Sequence, residues 1–478
     1  MLTVDTQPII SAKRASAKPG TGSVDVELLR RYETRGPRYT SYPAAPAFSK
    51  DYGSKDFELD LIRNNHENET GISLYINIPF CDTLCYFCGC TTVVTPNHGH
   101  AQKYIQYLKK EIRLFGRYIP KSRKVVQLQW GGGTPTYLWP EEIYEITDTL
   151  REVFTFDEDM EAGVEIDPRG LEREQLEVLR KAGFNRLSLG VQDFDENVQH
   201  AVNRIQSEEL VRKVMGWARD LGFGSINVDL IYGLPLQTVE TFSKTIDTII
   251  DLDPARLAVY NYAHVPWLKP HQRLLKPEDL PNADEKIKIL AMTVEKLTAA
   301  GYVYIGMDHF AKADDELATA REAHTLHRNF QGYSTKAGVD QFALGMASIS
   351  HFGGTYAQNE KTLTEYYKKL DQGSFATHIG HRMTKDDSLR AEVISKLMCD
   401  GVLVKRDIED KYDIQFDEYF DRGLERLQEC VRDGLVTHTV SEIRVMPQGW
   451  FFLRNIAMCF DAYLEEFQKH ETMFSKTV

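Results

Sequence analysis

No apolar run in this 478-residue chain reaches the length needed to cross a bilayer, so the sequence offers no transmembrane helix. Basic charge is scarce as well. Against 70 Asp and Glu stand 57 Lys and Arg, and the net charge of −13 argues against a general nucleic-acid or membrane-surface binder. A local basic pocket stays possible. The opening residues, "MLTVDTQPIISAKRASAKPGTGS", lack the apolar core and small-residue cleavage site of a secretory signal. A disordered leader is expected over 1–24, with an organelle-transit segment as the alternative. Cysteine is sparse, seven in all, and Cys399, Cys430 and Cys459 stand singly. That excludes a disulfide framework and makes a reducing cytoplasm the expected setting.

The remaining four cysteines are crowded. Cys81, Cys85, Cys88 and Cys90 fall within ten residues, in "YINIPFCDTLCYFCGC" (75–90). Buried structural cysteines scatter along elements, and structural zinc usually draws pairs from separated segments. The spacing here is C-x3-C-x2-C-x-C with no second knuckle. One short loop can instead wrap an iron–sulfur cube, each thiolate taking a different corner. With Cys81, Cys85 and Cys88 on three irons, the fourth iron stays open for a substrate.

From residue 72 short β-rich runs alternate with amphipathic helical stretches. The strand candidates are 72–78, 125–130, 163–167, 186–190, 226–233 and 257–263, with a possible seventh at 302–306. Such alternation implies a parallel sheet with crossover helices, and six or seven units suggest a complete or partial (β/α) barrel, whose chemistry sits at strand ends. Polar clusters fall there: the cysteines, "GGGTPT", "EIDPR", "GVQDF" and "DLIYGLP". Prolines and tyrosines in "LLRRYETRGPRYTSYPAAPAFS" make 25–71 an extended N-terminal arm. The catalytic domain is expected over 72–370. A smaller, mainly helical C-terminal domain is expected over 371–478, with helices at 388–401, 416–436 and 455–470 and a short hairpin in "HTVSEIRVM". It has the look of a winged-helix module but is not basic.

The C-x3-C-x2-C spacing after a first strand, followed at the next strand end by "WGGGTPT" (130–136), resembles the radical S-adenosylmethionine (SAM) superfamily. The resemblance implies a partial (β/α)6-type barrel and a [4Fe–4S] cluster whose open iron chelates SAM. It narrows further. The fourth cysteine, with "GPRYTSYP", "WGGGTPTYL", "DPR", "GFNRLSLGVQDF", "VNRIQ", "DLIYGLP", "YNYAHVP", "GMDHFA", "HRNFQGY" and "YAQN", resembles the oxygen-independent coproporphyrinogen III oxidases, from about residue 27 to the C-terminus. That family removes two propionate carboxyls of coproporphyrinogen III as CO2, leaving the vinyl groups of protoporphyrinogen IX, with a 5′-deoxyadenosyl radical and two SAM molecules per site.

The resemblance carries cluster ligation to Cys81, Cys85 and Cys88. It carries SAM contacts to Tyr75, Phe87, Gly132, Gly133, Thr134, Glu165, Gln192, Arg204, Asp229, Ala263 and Ile349. Glu165 and Asp229, ending strands, can accept from ribose hydroxyls or an ammonium, and Arg204 offers a planar fork for a carboxylate. Candidate catalytic groups are Cys90, Tyr75, His309 and Gln331. Arg35, Arg38, Tyr39 and Arg328 join His309 and Gln331 as candidates for meeting the propionates, and Asp308 and His309 are expected at the catalytic rim. Many family members carry histidine where this chain has Asn77, which cannot titrate near neutral pH. The expected partners are coproporphyrinogen III, an electron donor for the cluster and a separate electron acceptor; a cytoplasmic monomer is expected. A haem-binding chaperone, or a methyltransferase, cyclopropane-forming or ring-opening enzyme of the same subgroup, are the competing readings.

Overall fold

The computed structural model describes residues 25–469 and 474–477, so the expected leader lies outside the described residues. Six parallel strands form in sequence order: β1 (Ile72–Ile78), β2 (Val125–Gly132), β3 (Phe156–Ile166), β4 (Arg186–Gln192), β5 (Ser225–Tyr232) and β6 (Arg256–Asn261). Between them run helices such as Gly99–Phe115, Pro140–Val153, Glu208–Asp220 and Val239–Leu252. A parallel strand covered on both faces reads as a continuous apolar run. β4 and β5 alternate instead. Leu187, Leu189, Val191, Ile226, Val228 and Leu230 are buried, while Ser188, Gln192, Asn227 and Asp229 are only half-buried. One face of the curved sheet therefore packs on helices and the other is polar enough to line a ligand cavity.

The sheet stays open. Six more strands complete it: β7 (Tyr302–Gly306) and β8 (His309–Lys312) beyond β6, and β9 (Asp340–Leu344), β10 (Ile349–Phe352), β11 (Thr355–Asn359) and β12 (Thr377–Arg382) beyond β1. The twelve strands lie in the order β12-β11-β10-β9-β1-β2-β3-β4-β5-β6-β8-β7. The expected seventh strand exists as β7, but it is not the next barrel stave. It doubles back through Met307 and Asp308, both with positive φ, so that β8 pairs antiparallel with β6 and β7 takes the edge. A hairpin of His327–Asn329 and Gly332–Ser334 reaches across to β2, where Gln127 Nε2 donates to Ser334 Oγ at 3.2 Å.

Two further expectations change. The arm over 25–71 is extended only in its middle. Helices Val26–Arg31 and Ser54–Glu67 flank it, the second starting after the last proline of the segment. Its central residues are pinned to the C-terminal region by Tyr39, which donates to Asp461 at 2.9 Å, and by Arg454, which donates to the carbonyls of Gly36 and Pro37. The expected helix over 455–470 breaks into Leu453–Met458 and Leu464–Gln468. At the break the Asp461 side chain accepts from the Tyr463 N–H at 2.8 Å, offering the backbone an alternative to the helix. The C-terminal hairpin forms as Val436–His438 and Glu442–Val445 and recruits Val402–Val404 as a third strand. β12 continues the main sheet past residue 371.

Candidate active site

The cysteine loop leaves the end of β1 and is fixed by its own carbonyls and by aromatics. Asn203 Nδ2 donates to the Leu84 carbonyl at 2.8 Å, and the Tyr86 N–H donates to Val202 at 3.0 Å. Gln272 binds the Phe87 carbonyl at 3.0 Å, Lys269 the Cys90 carbonyl at 2.9 Å, and a His271 ring nitrogen lies 2.8 Å from the Cys88 carbonyl. Tyr86 and Phe87 pack on a small apolar cluster of Val198, Val202, Leu234, Tyr262 and Leu275. Phe87 is thus hydrophobic cover for the loop and a wall of the cavity beneath it.

That cavity, of about 310 Å³, brings together Cys81, Cys85, Cys88, Cys90, Phe87, Gly132, Gly133, Thr134, Glu165, Gln192, Arg204 and Asp229. Three of the four sulfurs accept a donor from outside the trio. Thr134 Oγ1 lies 3.6 Å from Cys81 Sγ, and the Cys90 N–H lies 3.4 Å from Cys88 Sγ. Cys85 Sγ takes two guanidinium groups, Arg169 at 3.4 Å and Arg204 at 3.5 Å. Such donors favour thiolate and tune a sulfur-ligated metal. Among the described residues no three His, Cys, Asp or Glu side chains converge on one point as a single metal ion requires. Three separated thiols around one cavity fit a cluster in which each takes its own iron. Cys90 is exposed and set apart from the trio, and its thiol is raised chiefly by its contact with Cys88.

The glycine run is required by close approach. A Cβ on Gly133 would stand 2.6 Å from the Phe80 carbonyl oxygen, and one on Gly131 2.7 Å from the Glu165 carboxylate. Gly132 has φ +107°, and a side chain there would strike the Asn77 amide. Asn77, the departure noted above, is therefore a packing neighbour of the glycines; its Nδ2 is buried without a partner.

Below the glycines sit two carboxylates. Burial, and then Asp229, push Glu165 up to about 7, while the Gly132 N–H donates to it at 3.2 Å. Burial also raises Asp229, against hydrogen bonds from Ser188 and Asn227, both at 2.8 Å. Near neutrality the site can thus hold a proton on Glu165. Burial works to raise Asp167, but Arg204 and Arg169 outweigh it and hold that carboxyl below its ordinary range. Arg204 meets Asp167 at 3.0 Å and also donates to the Gly190 carbonyl. Arg204 Nε and Gln192 Oε1 are buried with no partner, and Gln192 sits at φ +70°. Unsatisfied polar atoms and a strained residue on one wall are what a polar ligand would complete.

Tyr75 lies beside this group: burial, Glu165 and Cys90 hold its phenol well above the ordinary value. His309 and Gln331 line an adjoining cavity of about 160 Å³ that shares Glu165, Ser188, Asp229 and Tyr260 with the first. Burial, then Arg328, pull the His309 imidazole down to about 4, so it is neutral at physiological pH. Its Nδ1 lies 2.7 Å from the Met307 carbonyl, which assigns the proton there and leaves Nε2 as an acceptor. Arg328 stacks on Tyr333 at 4.8 Å, and its Nε and Nη1, like Gln331 Nε2, are buried without partners. Asp308 is turned away from this interior onto Arg38, whose guanidinium lies 5.6 Å from the Tyr260 ring. Three expected SAM contacts do not line the main cavity: Tyr75, which lies beside Glu165, and Ala263 and Ile349. Ala263 lines a separate pocket beyond β6 and accepts from Gln272 at 3.2 Å, and Ile349 opens β10 in register with Gln358. Sequence reasoning gave no role to Asp167 and Arg169; their signal was "DPR" at the end of β3, one turn from the cluster loop.

Comparison with known proteins gives this arrangement a class. Residues 75–249 match the family described as the radical SAM superfamily, and residues 383–452 match the HemN C-terminal domain. Oxygen-independent coproporphyrinogen III oxidase of Salmonella typhimurium is 46% identical over 442 residues, covering 92% of this chain and 96% of the relative. Its counterpart in Synechocystis is 43% identical, covering 96% and 99%. The solved structure of coproporphyrinogen III oxidase (HemN) from Escherichia coli, a radical SAM enzyme, superposes with a TM-score of 0.88 at 44% identity, over 92% of this chain and 99% of that one. The chain belongs to the oxygen-independent coproporphyrinogen III oxidase family. Among the described residues no helix is long and apolar enough to cross a membrane.

Proposed function

We infer that this chain catalyses the oxygen-independent oxidative decarboxylation of two propionates of coproporphyrinogen III to vinyl groups, giving protoporphyrinogen IX. The observation that carries the reading is the trio of thiols, each with its own donor, facing a cavity whose far wall holds unpartnered polar atoms. When bound, a reduced [4Fe–4S] cluster with SAM supplies a 5′-deoxyadenosyl radical, the hydrogen-abstracting species the reaction needs. Cys81, Cys85 and Cys88 hold the cluster, and Arg169 and Arg204 fix the Cys85 sulfur. Gly132, Gly133, Thr134, Glu165, Gln192, Arg204 and Asp229 hold SAM: the glycines admit its backbone-level approach, and the carboxylates meet its hydroxyls and ammonium. Phe87 walls the cavity, and the buried Tyr75 supports it from beside Glu165. Arg328 and Gln331 direct buried N–H donors toward the carboxylate of the reacting propionate, and His309 Nε2 accepts beside them.

For each propionate the chain takes one electron from a donor for the cluster and passes the electron released with CO2 to an outside acceptor, two in and two out per substrate. It works as a monomer. The test is anaerobic incubation of cluster-reconstituted protein with coproporphyrinogen III, SAM and a reductant. Formation of protoporphyrinogen with two CO2 per substrate is expected. A methylated or ring-opened product, or haem capture without SAM cleavage, would refute the reading.

A further inference from the structure

A second cavity, similar in size to the one beneath the cysteines, stands apart from it. It lies beyond the end of β6, with a volume of about 340 Å³, and its walls carry Arg35, Arg38, His264, Lys286 and Lys476 against a single acid, Glu33. Two of these cations are satisfied within the chain: Lys476 pairs with Glu33 at 2.9 Å, and Arg38 with Asp308. Arg35 and Lys286 have no carboxylate within ion-pair distance among the described residues. Arg35 spends its charge on a long contact with the Phe474 carbonyl, at 3.5 Å, and on the face of Trp267. Lys286 leans its stem against Gly233, where an added Cβ would stand 3.0 Å from Lys286 Cε. Burial, then Lys476, lower its ammonium pKa, and the more distant attraction of Glu33, which is itself paired with Lys476, does not offset them. In a protein with a net charge of −13, a pocket holding two cations that form no ion pair among the described residues is suited to an anion.

Its position says which anion. Side chains alternate along a strand, so Tyr260 faces the cofactor cavity while Asn261, the next residue, faces the basic pocket. One strand end separates the two. The substrate of the proposed reaction carries four carboxylates, of which two leave. A propionate that reacts must place its β-carbon in the cavity under the cysteines; a carboxylate beyond β6 is screened from that cavity by Tyr260. We propose that this pocket seats a non-reacting propionate of the porphyrinogen, with Lys286 and Arg35 as its cationic partners. The inference rests on the reading above.

The test is fluorescence titration of the full-length reconstituted protein and its Lys286→Met variant with three stable porphyrins. Coproporphyrin III has all four carboxyls, protoporphyrin IX keeps only the two that do not react, and coproporphyrin III tetramethyl ester has none. The variant should bind both acids about tenfold more weakly and the ester unchanged. Should Lys286→Met fail to fold, Arg35→Gln gives the same comparison. Unchanged affinity for both acids in a folded variant overturns the assignment, as does a loss confined to coproporphyrin III. If the unmodified protein binds neither acid, the substrate reading itself fails, whatever the variants do.

Discussion

The two cavities on either side of β6 are built by opposite means. The one under the cysteines is assembled from short contiguous motifs, four of them at the C-terminal end of a strand (the loop after β1, the glycines ending β2, "DPR" after β3 and Gln192 ending β4), with Asp229 from within β5. Its charges are cross-braced, with Asp167 held between Arg169 and Arg204 and both arginines on Cys85. The basic pocket draws Arg35, Asn261, Lys286 and Lys476 from separate parts of the chain, and two of its cations, Arg35 and Lys286, form no ion pair among the described residues. Binding a small, invariant cofactor needs backbone geometry, which neighbouring residues can supply. Holding the edge of a large tetra-anion needs charge at long spacing, which only the finished fold provides.

The comparison can be broken most forcefully at the cysteines. Replacing Cys81, Cys85 or Cys88 with alanine should abolish turnover and strip iron from the protein, whereas Cys90→Ala should keep its iron; iron and sulfide analysis of anaerobically purified variants checks both. The next effect is geometric. Gly133→Ala forces a Cβ into the Phe80 carbonyl at 2.6 Å, and moving that backbone should cost about a hundredfold in turnover with little change in porphyrin affinity. Arg204→Lys keeps the charge but not the fork that spans Asp167, Gly190 and Cys85. A loss of about 10- to 100-fold in SAM affinity is expected, together with a shifted cluster potential, measured by calorimetry and redox titration.

A smaller effect belongs to the scaffold behind β1, the strand that carries the cysteine loop. Glu111 is fully buried under β1 and β9, accepting from Tyr366, Asn359 and the Gly345 N–H, and burial pushes its carboxyl from 4.5 up to about 7. A carboxyl raised in the folded state binds its proton more tightly there than in the unfolded chain. Its contribution is therefore full below about pH 4.5 and is lost as pH rises through 7, by up to about 3 kcal/mol. Thermal unfolding should show Glu111→Gln with a flatter stability profile between pH 5 and pH 8 than the parent chain.

What the sequence disclosed follows the same division. β1 and β7 fall on the residues expected, and β2, β4, β5 and β6 within two residues at each end, because each is a short apolar run closed by a polar cluster; β3 starts seven residues before the expected 163, where "FDEDMEA" gives no apolar run. The hairpin that turns β7 to the edge was hidden, since it depends on Met307 and Asp308 adopting positive φ, which no local composition announces. The break near Asp461 was hidden for a related reason: its carboxylate is claimed by Tyr39, more than four hundred residues away. Within the site, the thiols, glycines and carboxylates were legible as motifs. The donors on each sulfur, and the neutrality of His309, became visible only when burial and neighbours were in place.

The central claim is that three thiolates grip an iron–sulfur cube whose remaining iron is open to SAM. Electron paramagnetic resonance of the dithionite-reduced protein, before and after SAM is added, tests it most directly. The account predicts a reduced [4Fe–4S] signal whose g-values move on adding SAM and which is absent from the Cys81, Cys85 and Cys88 variants. A signal that ignores SAM, or that survives loss of any of the three, would contradict it.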